Sequence, residues 1–339
     1  MTMKTIAIIG AGPAGMEASG SLARLGYHVV LIEKEATVGG HLKNLFQLFP
    51  DRRPGKEILT HLVQTIKHPG IQIKVNSEVS EVQKLDNSFA LKINEETMNA
   101  DAVLVTTGFD LYDATEKEEY GYGIYPNVIT SADLEQMFHN GKVVTEEGKT
   151  PKRVAFIHCV GSRDEKAGNN YCSKVCCVTA VKQAIEIKEL LPETEVFCYY
   201  MDIRMFGPYY EELYREAQEK WGVMFIRGKL SEASQNMDGS ILMKAEDTLA
   251  GKPLRMNTDL MVLMAGMVPS ASSKKVAQQF KMEEGQNRFF KSADNHYRYN
   301  ESQQMGVFIA GACVAPMNIT DTIANARAAA VKIDEYLKN

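Results

Sequence analysis

Apolar positions along this chain fall into short dense runs that alternate with stretches of helical periodicity. Residues 5–9 (TIAII) read as a buried strand, 13–25 as a helix and 27–32 as a second strand. The alternation resumes at 154–157 (strand), 173–191 (helix), 195–200 (strand) and 208–221 (helix). Short strands around 223–245, a buried strand at 260–264 and a helix over 318–337 complete it. Strand and helix taking turns in this way predicts an α/β protein with parallel sheets. We therefore expect two Rossmann-like doubly wound domains. The first is discontinuous, 1–115 plus 255–339; 151–254 is inserted into it, and the polar, turn-rich segment 116–150 serves as a linker.

The first strand runs straight into Gly10-Ala11-Gly12-Pro13-Ala14-Gly15. In a G-x-G-x-x-G turn the first glycine permits a tight bend and the second lets the backbone approach a pyrophosphate. The third lets the helix lie close to the sheet, so that the diphosphate rests on the helix N-terminus. Glu33, at the end of the second strand, is placed to accept hydrogen bonds from an adenosine ribose, and its charge disfavours a 2′-phosphate. A dinucleotide site follows, with FAD or NAD both open at this point.

Three further segments resemble the paired-domain flavoprotein reductases of thioredoxin-reductase-like architecture, and that resemblance implies FAD. Gly39-Gly40 follows Glu33-Lys34, with His41 next. AVLVTTG (102–108) looks like their returning strand, with Thr107 and Gly108 at the turn. GVFIAGA (306–312) looks like their C-terminal flavin motif. Ala312 stands after Gly311 where an acid is usual. Ile319 and Thr320 open the closing helix, whose positive dipole end is expected to face the flavin.

Composition removes several alternatives. Hydrophobic residues at 45% and charged residues at 24% suit a packed globule. A net charge of −5 with dispersed Lys and Arg gives no stripe for nucleic acid or an anionic membrane. The longest strongly apolar run, 260–268, is too short for a bilayer crossing, and 5–9 is no signal-peptide core, so a cytoplasmic location is expected.

Without an export signal, the six cysteines point to metal or redox chemistry rather than structural disulfides. The inserted domain also lacks a second glycine fingerprint: its first strand runs into His158-Cys159-Val160-Gly161-Ser162-Arg163. Cys159, Cys172, Cys176 and Cys177 form C-x12-C-x3-C-C, four of the six cysteines within nineteen residues. With Ser173 opening a helix, Cys172 is expected at its cap and the vicinal pair one turn in, so that four thiolates converge. All-sulfur ligation suits an iron–sulfur group or zinc. A Cys172/Cys176 dithiol in an NAD(P)H-dependent disulfide reductase is the rival reading. Cys198 and Cys313 read as buried packing, and the acidic runs 116–119 and 211–212 as solvated faces.

At this point the sequence resembles the A subunits of heterodisulfide reductases. The resemblance rests on YGIYPNVITSADLEQMF (122–138), PKRVAFIHCVGSRDE (151–165), YCSKVCC (171–177), MDIRMFGPYYEELY (201–214) and GVFIAGACVAPMNITDT (306–322). It implies FAD, a [4Fe-4S] cluster on Cys159, Cys172, Cys176 and Cys177, a homodimer, and partners resembling the family's B and C subunits. Longer members carry further cysteine motifs that are missing here. The short form is most similar to the flavin subunit of the sulfur-oxidising heterodisulfide-reductase-like complex, whose companions include lipoate-binding proteins. The flavin subunit of a quinone-interacting oxidoreductase is the alternative within the family.

Overall fold

The computed structural model describes residues 3–338. The chain divides into two compact units. The first is formed by the chain through Lys43, by Lys56–Asp110 and from Val268 onward; the second by Asn44–Gly55 and Leu111–Met267. Each is built on the same plan.

In the first unit five parallel strands lie in the order Val307–Ile309, Ala102–Val105, Thr5–Ile9, His28–Ile32, Ile71–Lys74. Ile6, Ala7, Ile8, Val29, Leu31, Val103 and Leu104 are almost wholly buried, as strands covered on both faces require. Helix Pro13–Arg24 packs beside the closing helix Ile319–Lys338. An antiparallel meander, Val79–Lys84, Phe89–Ile93 and Glu96–Ala100, adds Phe89, Leu91 and Ile93 to one core.

The second unit repeats the plan with strands Val128–Thr130, Leu260–Ala265, Arg153–Val160, Glu195–Tyr200 and Met224–Arg227, again all parallel. Its meander is Leu230–Gln235, Ile241–Asp247 and Lys252–Thr258. Helix Cys176–Leu190 lies against the central strand, contributing Val178, Val181, Ala184 and Ile185 to the core.

The domain boundaries differ from those expected. Segment 116–150 is no linker: Val128–Thr130 pairs with Leu260–Ala265, and helix Ser131–His139 follows, closed by a Thr130/Asp133 capping box. A strand of three residues leaves too little periodicity to be read. Leu260–Ala265, expected to belong to the first domain, is the neighbour of Arg153–Val160 in the second sheet. Asn44–Gly55 also joins the second unit, where the amide of Phe46 donates to Glu135 at 2.7 Å and Lys182 Nζ donates to the Gln47 carbonyl at 3.0 Å.

Candidate functional site

Two regions bring together the residues singled out in the sequence. In the first unit Gly10 has φ 104°, and a Cβ there would stand 2.5 Å from the Thr106 carbonyl oxygen. A Cβ on Gly15 would reach 1.9 Å from the Gly10 carbonyl, so only glycine lets this helix pack so tightly. Gly12 differs: its φ is −73° and a Cβ would meet nothing within 4 Å. It precedes Pro13 at the helix start with no side-chain cap, leaving the first amides free for an anion.

The neighbouring positions gather on this turn. Glu33 is buried, and its carboxylate accepts from Ala11 N at 2.8 Å and Glu35 N at 2.9 Å. The Gly39 amide donates to Ala11 O at 2.8 Å. A Cβ on Gly40 would lie 3.2 Å from Gly12 Cα, and one on Gly311 2.7 Å from Ala14 Cβ. Thr107 borders Gly10, and its Oγ1 is buried without a hydrogen-bond partner among the described residues, while Gly108 takes φ 71°. His41 stacks on Phe109 with centroids 4.4 Å apart, its Nε2 2.8 Å from the Phe109 carbonyl. Ala312 is buried; Lys34 and Thr320 are exposed, and Ile319 opens the final helix beside Thr320. One residue escaped the sequence reading: Thr106 Oγ1 donates to Ile9 O at 3.1 Å and Gly10 O at 2.8 Å, fixing the glycine turn. The Thr-Thr-Gly sequence was its only signal. The free amides, the empty space at Gly12 and the orphaned Thr107 hydroxyl fit a dinucleotide diphosphate.

In the second unit the central strand ends differently. Its register shifts between Ile157 and Val160, and Cys159 adopts φ 59°. Such a bulge re-aims side chains at a strand end, and here it brings the buried Cys159 thiol against Cys176. Gly161 has φ 69°, but a Cβ there would strike the Tyr112 ring at 2.0 Å. An aromatic ring thus fills the room that a phosphate turn would need.

The helix begins at Cys176, later than the expected start at Ser173, because Lys174 takes φ 62° and breaks the helical path. Cys172 therefore lies in the preceding turn, with the Lys174 amide 3.3 Å from its Sγ, and is not the cap. Cys176 and Cys177 are the first two residues of the helix, whose N-cap, Val175, offers no side chain to the free amides. Cys159, Cys176 and Cys177 are buried; Cys172 is partly exposed.

Cys176 hydrogen-bonds to both Cys159 and Cys177, which draws the proton onto Cys176 and pushes its thiol up. The same contacts pull Cys159 and Cys177 down towards thiolate, helped at both by the nearby His158 imidazole. Among the described residues no group of three or more His, Cys, Asp or Glu side chains is placed to hold a metal ion, so the convergence of four thiolates expected from the sequence is not formed in this structure. A cubane would take one thiolate for each of its four irons, the number of cysteines in the C-x12-C-x3-C-C motif.

The surroundings bear directly on such a group. Ser162 Oγ and Arg163 Nη1 are buried without hydrogen-bond partners among the described residues, and the buried His158 imidazole lies against Cys177. Two such orphaned donors within four residues of Cys159 call for an explanation in a folded protein, and cluster sulfurs are acceptors that would satisfy donors of this kind. His158 is buried beside Cys177 and helps hold that thiol low. Cys198 is fully buried mid-strand and pushed upward by burial. Cys313 is likewise buried, raised to about 12 mainly by desolvation, with its thiol donating to Ala310 O at 3.1 Å. Both pack as expected.

With this geometry in place, the fold class is that of the two-domain FAD/NAD(P)-binding reductases. Thioredoxin reductase from T. acidophilum superposes with a TM-score of 0.65 at 17% identity, covering 98% of each chain. The Lactococcus lactis thioredoxin reductase gives 0.68 at 16%, covering 99% of each. Residues 4–128 match the pyridine nucleotide-disulphide oxidoreductase family.

Within that class the chain is similar in sequence to the heterodisulfide reductase A subunits. It is 33% identical to the second CoB–CoM heterodisulfide reductase iron-sulfur A subunit of Methanopyrus kandleri, over 96% of this chain and 63% of that protein. Against the A subunit of the H(2):CoB-CoM heterodisulfide,ferredoxin reductase of Methanothermobacter thermautotrophicus the values are 33%, 96% and 62%. The chain thus spans somewhat under two thirds of these relatives. The first alignment runs over 413 positions, more than the 339 residues of this chain, so that relative carries inserted segments missing here.

Proposed function

We propose that this protein is an FAD- and [4Fe-4S]-containing electron-transfer oxidoreductase, the flavin subunit of a heterodisulfide-reductase-like complex working in dissimilatory sulfur oxidation. When bound, FAD would exchange an electron pair and the cluster single electrons; the chemistry belongs to the cofactors. Gly10, Gly12, Gly15, Glu33 and Gly311 shape the flavin nucleotide site, and the amides after Gly12 meet the diphosphate. Cys159, Cys172, Cys176 and Cys177 hold the cluster, while the helix N-terminus and Arg163 offset its charge.

The observation that carries this reading is the replacement of a phosphate turn by cysteines amid orphaned polar atoms. It agrees with the Methanopyrus kandleri relative being an iron-sulfur subunit. The dithiol alternative is less well supported, because Cys176 contacts Cys159 and Cys177 rather than Cys172. As partners we propose a second copy of the chain, subunits like B and C of the family, and a lipoate-binding protein that delivers the sulfur. No helix among the described residues is long and apolar enough to cross a membrane, and we place the protein in the cytoplasm.

Anaerobic purification with flavin, iron and acid-labile sulfide analysis, followed by EPR after dithionite, tests the reading. FAD with about four irons per chain supports it. FAD without iron, with two thiols that NADPH or NADH reduces, would replace it with the disulfide-reductase reading.

A further inference from the structure

One side chain ties the cysteine-bearing segments together. Arg163 lies four positions after Cys159 in a left-handed conformation, φ 51°. Its amide donates to the carbonyl of Tyr171 at 2.9 Å, next to Cys172, so the loop between the first two cysteines closes on Arg163 itself. Its Nη2 donates to Asp202 Oδ2 at 2.6 Å, and the Asp202 backbone carbonyl lies 3.7 Å from Cys177 Sγ. Segments bearing Cys159, Cys172 and Cys177 thus meet at one residue, through its backbone amide and its guanidinium. Asp202 spans the last step.

The other end of the guanidinium is the informative one. Nη1 is buried and has no hydrogen-bond partner among the described residues. Arg163 also feels the charge of both Cys159 and Cys172. A guanidinium cannot shed its proton, and burying one of its N–H groups without an acceptor is unfavourable. An acceptor sulfur belongs there.

We infer that Arg163 sets the reduction potential of the iron–sulfur group held by the four cysteines, with Nη1 donating to one of its sulfurs and Asp202 holding the fork in place. The inference rests on the cluster reading above. One electron added to such a group increases its negative charge by one, with no bond made or broken and no proton required; the flavin is the donor. A fixed cation and a hydrogen bond to sulfur therefore favour the reduced state. The Asp202 carboxylate acts in the opposite sense.

The test is an EPR-monitored redox titration of the anaerobic holoprotein, with iron counted per chain, for wild type, Arg163→Met, Arg163→Lys and Asp202→Asn. Arg163→Met should raise the ratio of oxidised to reduced cluster at least tenfold at the wild-type midpoint, a fall of about 59 mV for one electron. Arg163→Lys keeps the charge but loses the planar fork, and should fall by less. Asp202→Asn should move the midpoint upward. A purely structural Arg163 would lower iron content while leaving the midpoint of the remaining cluster unmoved. If Arg163→Met holds too little iron to titrate, Asp202→Asn decides by itself. Unmoved midpoints in iron-replete variants overturn the inference and leave the cluster reading standing. A wild-type protein without iron overturns the cluster reading first.

Discussion

Lys182 Nζ lies 2.6 Å from Glu135 Oε1, with the two side chains only 2% and 4% exposed. Gln183 Nε2 donates to the same oxygen at 2.7 Å, and the amide of Phe46 takes the other. This pair fastens Asn44–Gly55 within the second unit. Removing one partner of a buried ion pair strands the other, at a cost of about 3–5 kcal/mol. Lys182→Met should therefore lose stability on that scale in urea denaturation, and Lys182→Met with Glu135→Leu should recover part of it. A loss below about 1 kcal/mol would contradict this account.

Glu186, on the same helix, gives the stability a pH dependence. Its carboxyl is raised from an ordinary 4.5 to about 8, chiefly by burial, against the opposing pull of Lys182. Between these values the folded chain keeps a proton that the unfolded chain has released. The contribution is thus complete below about 4.5 and is lost as the pH rises through 8. Comparing thermal denaturation at pH 6 and pH 9, Glu186→Gln should narrow the gap by an amount on the order of a few kcal/mol. An unchanged gap would show that Glu186 is already ionised at neutral pH.

The glycine turn separates binding from folding. Gly15→Ala places a Cβ 1.9 Å from the Gly10 carbonyl and should destabilise the protein by more than about 2 kcal/mol. Gly12→Ala meets no protein atom and has no positive φ to strain. It should cost about 1 kcal/mol or less yet weaken FAD binding roughly tenfold or more, since the methyl occupies the diphosphate's space. Flavin fluorescence titration beside apoprotein melting curves checks both. Equal flavin affinity in Gly12→Ala and wild type would move the nucleotide elsewhere.

Cysteine variants distinguish ligands from packing. Cys176→Ala should lose most of the iron and sulfide. Cys198→Ala should keep them while losing about 1 kcal/mol, the cost of deleting a small buried side chain. Colorimetric iron analysis of both, beside urea melts, decides. Iron lost equally from the two would indicate general unfolding.

The sequence carried the regular parts of this architecture well. Long parallel strands such as Thr5–Ile9 and Glu195–Tyr200 are apolar almost throughout, so their pattern is unmistakable. The glycine turn was legible because each of its positions answers a steric demand. Val128–Thr130 was not, since three residues show no period and their burial comes from Leu260–Ala265, far along the chain. The late start of the cysteine helix depends on the conformation of Lys174, a residue with no strong preference of its own for a positive φ. Asp202 and Thr106 act through partners 39 and about 100 positions away, and spacing alone reveals neither.

The order of the strands has a consequence for synthesis. The sheet holding the glycine turn has Val307–Ile309 at one edge, paired to Ala102–Val105, and the chain crosses between its two units four times before that strand appears. A nascent chain emerging from the ribosome can finish the second unit, whose last strand is Leu260–Ala265, while the first still lacks its edge strand and its closing helix. The two sheets therefore close at different points of synthesis: the cysteine-bearing one after Leu260–Ala265, the one with the glycine turn only once Val307–Ile309 and the helix behind it have been made.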